Sequence, residues 1–178
     1  MSTPLVYQGA TELRHLGVIR ARGADAASFL QSQLTNDVLT LGPAQARLAG
    51  FCSAKGRLQA SFWVLRPQAD ELWLIVSADL LATTLKRLSM FVLRAKCKLD
   101  DASAELPLLG LVGRDVVVPP GAGPWQVDAG APLGRTLRLP DAAGQPRCVV
   151  IGPPGAAAAG LPPLTLDAWR WLDLHAGV

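Results

Sequence analysis

The sequence is poor in the residues that carry most site chemistry. Among 178 residues there are three cysteines, Cys52, Cys97 and Cys148, and two histidines, His15 and His175. No C-x-x-C pair occurs, so the count argues against a disulfide scaffold and against a structural zinc site. Three scattered thiols fit a reducing compartment, which predicts a cytoplasmic protein whose cysteines serve as small packed hydrophobes. No run approaches the roughly 18 consecutive apolar residues of a membrane helix. Met1 to Gln8 shows no basic region followed by an apolar stretch, so no secretory signal is visible. Charge is sparse as well: 17% of residues are charged, and 17 basic against 14 acidic side chains leave a net charge of +3. Such a balance permits nucleic acid without arguing for it. Phosphate loops, the G-x-G-x-x-G turn after a strand, G-x-S-x-G and H-E-x-x-H are all missing. What remains is a chain that is 50% hydrophobic, enough to bury one ordinary core or two small ones.

The first half of the chain is regular. His15 to Arg20 reads as a strand, and Gly23 breaks it. Ala26, Phe29, Leu30 and Leu34 follow helical spacing after Asp25, a candidate N-cap. Thr35-Asn36-Asp37 stops that helix with side chains that bond to nearby backbone. Arg47–Cys52 and Leu58–Val64 flank Ser53-Ala54-Lys55-Gly56-Arg57, a hairpin with Gly56 as its permissive position. Leu58, Ala60, Phe62 and Val64 alternate onto one face. Leu72 to Val76 is apolar on both faces, which predicts a central buried strand. A second helix follows over 79–92, with Asp79 as cap, Leu81, Leu85, Leu88 and Val92 on one face, and a basic far end of Lys86, Arg87, Arg94, Lys96 and Lys98 that complements the helix dipole.

The second half is looser. One apolar strand lies within 105–113. Glycine and proline then cluster at Pro119, Pro120, Gly121, Gly123 and Pro124, and again from Gly152 to Pro163. Between these loops Arg135–Leu139 and Arg147–Ile151 form a strand pair, and a last helix starts near Thr165 and ends at the cap Gly177. Hairpins outnumber crossovers, which predicts an α+β fold of antiparallel sheets with helices packed on them. The composition divides the chain into a module at 1–104 and a loop-rich α+β segment at 105–178. Apolar Trp169, Trp171 and Leu172 close to the end predict an exposed surface that an absent segment or another chain covers.

Asp100-Asp101 is a carboxylate pair, but strand neighbours point to opposite faces and do not share a site. Two stretches rise above this background: Phe29-Leu30-Gln31-Ser32-Gln33-Leu34-Thr35-Asn36-Asp37-Val38 and Cys52-Ser53-Ala54-Lys55-Gly56-Arg57-Leu58. Each also reads plainly, as a helix stop and as a hairpin turn. Together, F-L-Q-x-Q-L-T-N-D-V followed by C-x-x-K-G-R resembles the folate-binding YgfZ-type proteins, relatives of the glycine-cleavage T-protein, an aminomethyltransferase. Trp169 to Val178 is similar to the family helix that ends in an Ala-Gly-(Ile/Val) turn. The likeness covers most of 10–100 and the last ten residues.

The resemblance implies a T-protein N-terminal-like folate-binding fold and a tetrahydrofolate ligand. It implies a role in maturing iron-sulfur client proteins and, through them, in tRNA modification. The candidate cofactor-binding residues are Gln33, Thr35, Asn36 and Asp37, which supply hydrogen-bonding groups at a helix end, Lys55 and Arg57, which flank Gly56 at the turn and can meet the carboxylate tail of a folate, and also Cys52, Ser77 and His175. Ser77 stands where T-proteins have a folate-contacting Asn, and His175 where they have a Glu. The family's Lys-Gly-Cys-Tyr-x-Gly-Gln-Glu motif does not occur, so the expectation is either the N-terminal part of a longer protein or a family member lacking its last domain. T-proteins carry a catalytic aspartate shortly after the hairpin glycine, whereas Arg57 to Ser61 contains no carboxylate. The expectation is therefore a reduced-folate-binding accessory protein with no catalytic residue. The alternatives are a folate-dependent aminomethyltransferase and an RNA-binding module, the latter suggested by the basic helix end. Neither a metal nor a membrane is expected, and no direct nucleic-acid contact.

Overall fold

Two antiparallel five-stranded sheets organise the chain. The structure is a computed structural model and describes residues 7–114, 116, 123–129, 134–153 and 159–178. The loops expected at Pro119, Pro120 and Gly121, and from Pro154 to Ala158, lie outside the described residues. The elements run β1 (Gly9–Glu12), β2 (Leu16–Arg22), α1 (Ala26–Gln33), β3 (Ala46–Cys52), β4 (Leu58–Gln68), β5 (Glu71–Ser77), α2 (Ala78–Ser89), β6 (Lys98–Asp101), β7 (Leu108–Val112), β8 (Val127–Asp128), β9 (Arg135–Ala142), β10 (Gln145–Ile151) and α3 (Leu166–Ala176). Every pairing in both sheets is antiparallel.

The chain divides into two units, Arg14–Leu106 and Met1–Leu13 with Pro107–Val178. The sequence placed residues 1–13 in the first module. They group with the second because β1 pairs with β7 along Gly9–Glu12.

In the 14–106 unit the strand order is β3-β4-β5-β2-β6. Strand β5 lies in the interior of this sheet, and Leu72, Trp73, Leu74, Ile75 and Val76 are all buried. On one face Ile19, Leu72, Leu74 and Val76 join Phe62 and Val64 beneath Phe29 and Leu30 of α1 and Leu81 and Leu88 of α2. The alternating and helical stripes read from the sequence thus meet in one core. Leu58 departs from that pattern and is 65% exposed. The β3–β4 pairing shifts register between Phe51 and Cys52, and such a bulge re-aims side chains at a hairpin end.

Three local expectations are corrected. Asp25 sits at the N-cap of α1 but makes no side-chain cap bond; its Oδ2 accepts instead from the Lys96 N–H at 2.7 Å. The cap of α2 is Ser77, with Asp79 inside the first turn. That helix ends at Ser89, so Arg94, Lys96 and Lys98 lie beyond it and Lys98 opens β6. The charged composition of β6 hid it in the sequence. It is an edge strand, and Asp100 pairs with Arg20 (2.6 Å) and Arg22 (3.4 Å) on β2. Asp101 bonds instead to the backbone and hydroxyl of Ser103.

In the other unit the order is β1-β7-β10-β9-β8. The β9–β10 hairpin and α3 stand where the sequence put them, with Thr165 Oγ1 accepting from Ala168 N–H (3.2 Å) and Gly177 in the left-handed conformation. The expected apolar surface at this helix is corrected. Trp169 and Leu172 are fully buried, and the Trp169 ring lies where a Cβ on Gly110 would be, 2.7–2.8 Å from that position. Trp171 is half exposed and stacks on Tyr7, ring centres 5.1 Å apart. Buried Arg147 ties β10 to α3 through Asp173 (2.7 Å) and lies over the Trp169 ring at 5.2 Å. Burial pushes the Asp173 carboxyl above its ordinary range, against the pull of Arg147.

Candidate functional site

Polar side chains alone do not make a site; they must be left unengaged by the fold. The polar side chains of the stretch after α1 are each hydrogen-bonded within the protein. Thr35 exchanges bonds with Gly50 of β3: its N–H donates to the Gly50 carbonyl (3.0 Å) and its Oγ1 accepts from the Gly50 N–H (2.8 Å). A Cβ on Gly50 would stand 2.8 Å from Leu58 Cδ1 and 3.2 Å from that oxygen, so a side chain there would crowd the lock. Asn36 Nδ2 donates to the Leu48 carbonyl at 2.8 Å and its Oδ1 accepts from the Asp37 N–H at 2.8 Å. Asp37 accepts from the Thr40 hydroxyl and the Leu39 N–H, with Arg47 at 3.7 Å. The Thr40 hydroxyl first, then the backbone N–H groups and Arg47, hold the Asp37 carboxyl below its usual range. Gln33 Nε2 donates to Ser32 Oγ at 2.9 Å.

The hairpin turn is built differently. Ser53 closes it: its N–H donates to the Arg57 carbonyl (2.8 Å), its carbonyl accepts from Gly56 (2.9 Å) and its Oγ accepts from the Arg57 N–H (3.2 Å). Gly56 has φ +73°, which an L side chain rarely adopts. With the backbone thus closed on itself, the Lys55 and Arg57 side chains remain exposed and meet no carboxylate among the described residues.

These two cations border an open cleft of about 480 Å³, lined by Phe51, Ser53, Lys55, Arg57, Leu58 and Gln59 from the hairpin and Leu80, Thr83, Thr84 and Arg87 from α2. The four α2 residues recur at helical spacing and form a stripe beside the core-facing Leu81 and Leu88. The cleft has an apolar wall (Phe51, Leu58, Leu80), hydroxyls, three cations and no carboxylate among its described lining residues. Gln59 Oε1 is buried and has no hydrogen-bond partner in the protein, an acceptor awaiting a donor.

Of the residues expected at a site, Lys55 and Arg57 line this cleft. Gln33, Thr35, Asn36, Asp37, Cys52, Gly56 and Ser77 do not. Cys52 is half-buried at the end of β3. Ser77 Oγ donates to Asp79 Oδ1 at 2.6 Å. His175 lies in the other unit, where its Nδ1 accepts from the Ala143 N–H at 3.4 Å and its ring rests against Trp171. Arg87 and Thr83 were missed as site residues, although the spacing Leu80-Thr83-Thr84-Arg87 is legible in the sequence as a second helical stripe. The thiols offer little: burial pushes Cys148 up to about 12 and raises Cys97 as well. Among the described residues no three His, Cys, Asp or Glu converge as a metal site, and no helix is long and apolar enough to cross a membrane.

A family model described as the GCVT N-terminal domain matches residues 7–116, more than half of the chain and all of the cleft. The chain belongs to the GCVT N-terminal domain family. Among curated proteins it is 33% identical over 174 residues to the tRNA-modifying protein YgfZ of Edwardsiella ictaluri, covering 90% of this chain and 51% of that protein. It is 31% identical over 103 residues to the mitochondrial iron-sulfur cluster assembly factor IBA57 homolog of Mycosarcoma maydis, covering 51% of this chain and 26% of that one. The chain spans about half the length of the YgfZ proteins of Edwardsiella ictaluri and Colwellia psychrerythraea. Among solved structures, the glycine cleavage system aminomethyltransferase T from Bartonella henselae superposes with a TM-score of 0.71 at 16% identity, over 97% of this chain and 46% of that chain. That likeness establishes the fold: a GCVT N-terminal-like α+β arrangement of antiparallel sheets, as the sequence predicted.

Proposed function

We propose that this chain binds a reduced folate, tetrahydrofolate, through the hairpin cleft and does not transfer its one-carbon unit. In this reading it serves as an accessory factor for iron-sulfur proteins and, through them, for tRNA modification. The observation that carries the proposal is the pairing of unengaged Lys55 and Arg57 with an apolar wall and no lining carboxylate. A folate has a flat aromatic body with donors and acceptors and a tail of carboxylates. Phe51, Leu58 and Leu80 suit the body, the orphaned Gln59 oxygen suits a ring donor, and Lys55 and Arg57 suit the tail, Arg in bidentate fashion. Bound, a reduced folate supplies a carrier for one-carbon units.

Transfer of such a unit to or from an amine needs a placed acid or base. Asp37 is the carboxylate that the sequence offered for this task, but it lies outside the cleft lining and is engaged by Thr40, Leu39 and Arg47. The accessory role rests on the relatives, whose names include tRNA-modifying protein and iron-sulfur cluster assembly factor. Calorimetry with tetrahydrofolate tests the binding. The expected result is saturable binding that weakens about tenfold in Arg57→Ala, with no aminomethyl transfer by the same preparation. Absence of binding overturns the proposal, and transfer abolished by Asp37→Asn overturns its non-enzymatic half.

A further inference from the structure

Where α2 runs out, three large apolar side chains stand in water. Met90 is 68% exposed, Phe91 46% and Leu93 87%, the highest exposure among the large apolar residues described. Backbone N–H groups of Met90, Phe91, Val92 and Ala95 donate to the carbonyls of Lys86 (3.3 Å), Leu88 (3.0 Å), Ser89 (3.3 Å) and Val92 (2.8 Å), which winds the segment into successive turns. Val92 and Ala95 pack against the core, which leaves the other three side chains outside. At the base, Lys96 exchanges bonds with Asp25: its N–H donates to Oδ2 at 2.7 Å and its carbonyl accepts from the Asp25 N–H at 3.2 Å. The tip is thus tied to the fold at both ends. Leu93 has φ +44°, a left-handed turn position that glycine or asparagine takes at lower cost. A leucine there combines backbone strain with exposed apolar surface, and its exposure leaves little contact inside the fold to offset either. Such a residue points to a role outside the fold.

The charge along this segment has one sign. Residues 80–99 contain no Asp or Glu, and Lys86, Arg87, Arg94, Lys96 and Lys98 are all exposed. Of the acids beside it, Asp25 accepts from the Lys96 N–H, and Asp100 pairs with Arg20 and Arg22. The other exposed apolar residues lack this setting. Leu39, Leu48, Leu58 and Leu80 stand apart from one another in the chain, and Trp171 and Leu174 share α3 with Asp167 and Asp173. Five like charges disfavour a second copy of the same tip as the partner. An apolar tip flanked by cations matches a surface that is anionic outside and apolar beneath, and a bilayer of that kind needs no shaped pocket to receive it. We infer that residues 90–93 dock this chain peripherally on an anionic phospholipid surface. Met90, Phe91 and Leu93 enter the acyl boundary, and Lys86, Arg94, Lys96 and Lys98 meet the headgroups. The contact needs no spanning run. With so few apolar side chains it is reversible, and it weakens as salt screens the cations. It is independent of the folate reading.

The test is co-sedimentation of the whole chain with vesicles of phosphatidylglycerol and phosphatidylcholine in equal parts, against vesicles of phosphatidylcholine alone. Partition into the anionic vesicles is expected to be at least about tenfold stronger at low ionic strength, with the ratio shrinking as salt rises. Met90→Gln combined with Leu93→Asn keeps residues that suit a helix end and a left-handed turn, and is expected to weaken partition about tenfold. Arg94→Gln combined with Lys96→Gln is expected to weaken it by about as much, and to flatten its salt dependence. Leu174→Asn, at an apolar position 80% exposed on α3, is expected to change nothing. Thermal melting checks that each variant keeps the fold. Equal partition into neutral vesicles overturns the inference, and so does partition left unchanged in either double variant. Absence of partition into the anionic vesicles also overturns it, and directs the tip to an acidic protein surface instead.

Discussion

Residues 35–40 and residues 53–57 are both short, polar and attached to β3, and the fold uses them in opposite ways. In 35–40 nearly every side chain is committed: Thr35 to Gly50, Asn36 to Leu48, Asp37 to Leu39, Thr40 and Arg47. In 53–57 the Ser53 side chain and the backbone close the turn, and Lys55 and Arg57 are left over. A polar group bonded inside the protein must lose that bond before it meets a ligand, whereas an exposed cation with no partner loses only water. The first stretch therefore positions β3, and the second presents chemistry on it. A third arrangement marks the far limit, the fully buried Arg147 held by Asp173.

The largest effect is expected at that limit. Arg147→Ala empties a fully buried position and leaves the partly buried Asp173 carboxylate without its partner, and denaturant unfolding should show a loss of about 3–5 kcal/mol. Gly110→Ala pushes a methyl group into the Trp169 ring, which should cost about 1–3 kcal/mol by overpacking. Thr35→Val keeps the shape but leaves the Gly50 N–H without its acceptor, with an expected loss of about 0.5–1.5 kcal/mol.

A smaller effect concerns acid. The Asp37 and Glu105 carboxyls are both held below their ordinary values of 3.8 and 4.5, Asp37 by Thr40 and Glu105 by Arg20. A depressed carboxyl stabilises the fold above its ordinary value, and that contribution is lost as pH falls through the lowered one. The stability gap between the protein and Asp37→Asn should therefore be greatest above pH 3.8 and shrink in more acid solution. The smallest change in stability is expected at the turn. Lys55→Ala and Arg57→Ala should shift unfolding by less than about 0.5 kcal/mol while weakening folate binding. A large loss of stability in either variant would erase the distinction between the two stretches.

Much of the fold was legible because periodicity carried it. The alternation of Ala60, Phe62 and Val64, the doubly apolar run Leu72–Val76 and the stripe of Leu81 and Leu88 each meet the core as read. Strand β6 was not legible, since Lys98-Leu99-Asp100-Asp101 has the composition of a loop and becomes a strand through its pairing with β2. Strand β1 escaped for a related reason: its short, half-polar Gly9–Glu12 is held by pairing with β7, about a hundred residues away along the chain. Trp169 was misplaced because a tryptophan in the first turn of the last helix has no visible cover in the sequence until Gly110, far off along the chain, provides the space beneath its ring.

For the candidate site the division is similar. Local order already marked Lys55-Gly56-Arg57 as a turn bearing two cations, because turn chemistry depends on neighbours in sequence. It also marked Thr35, Asn36 and Asp37 as groups able to bond to backbone, without saying to which. Their partners Gly50, Leu48 and Arg47 lie ten to fifteen residues on, and pairing at that range is an outcome of sheet register. Arg87 shows the same limit from the other side: along the chain it is one basic residue in a helix end, and its place beside Lys55 and Arg57 exists only once α2 packs next to the hairpin. Residue types and their local spacing follow from the chain alone. Which charges end up paired and which end up free depends on distances between segments, and those are set when the sheet and helices bury their apolar faces together.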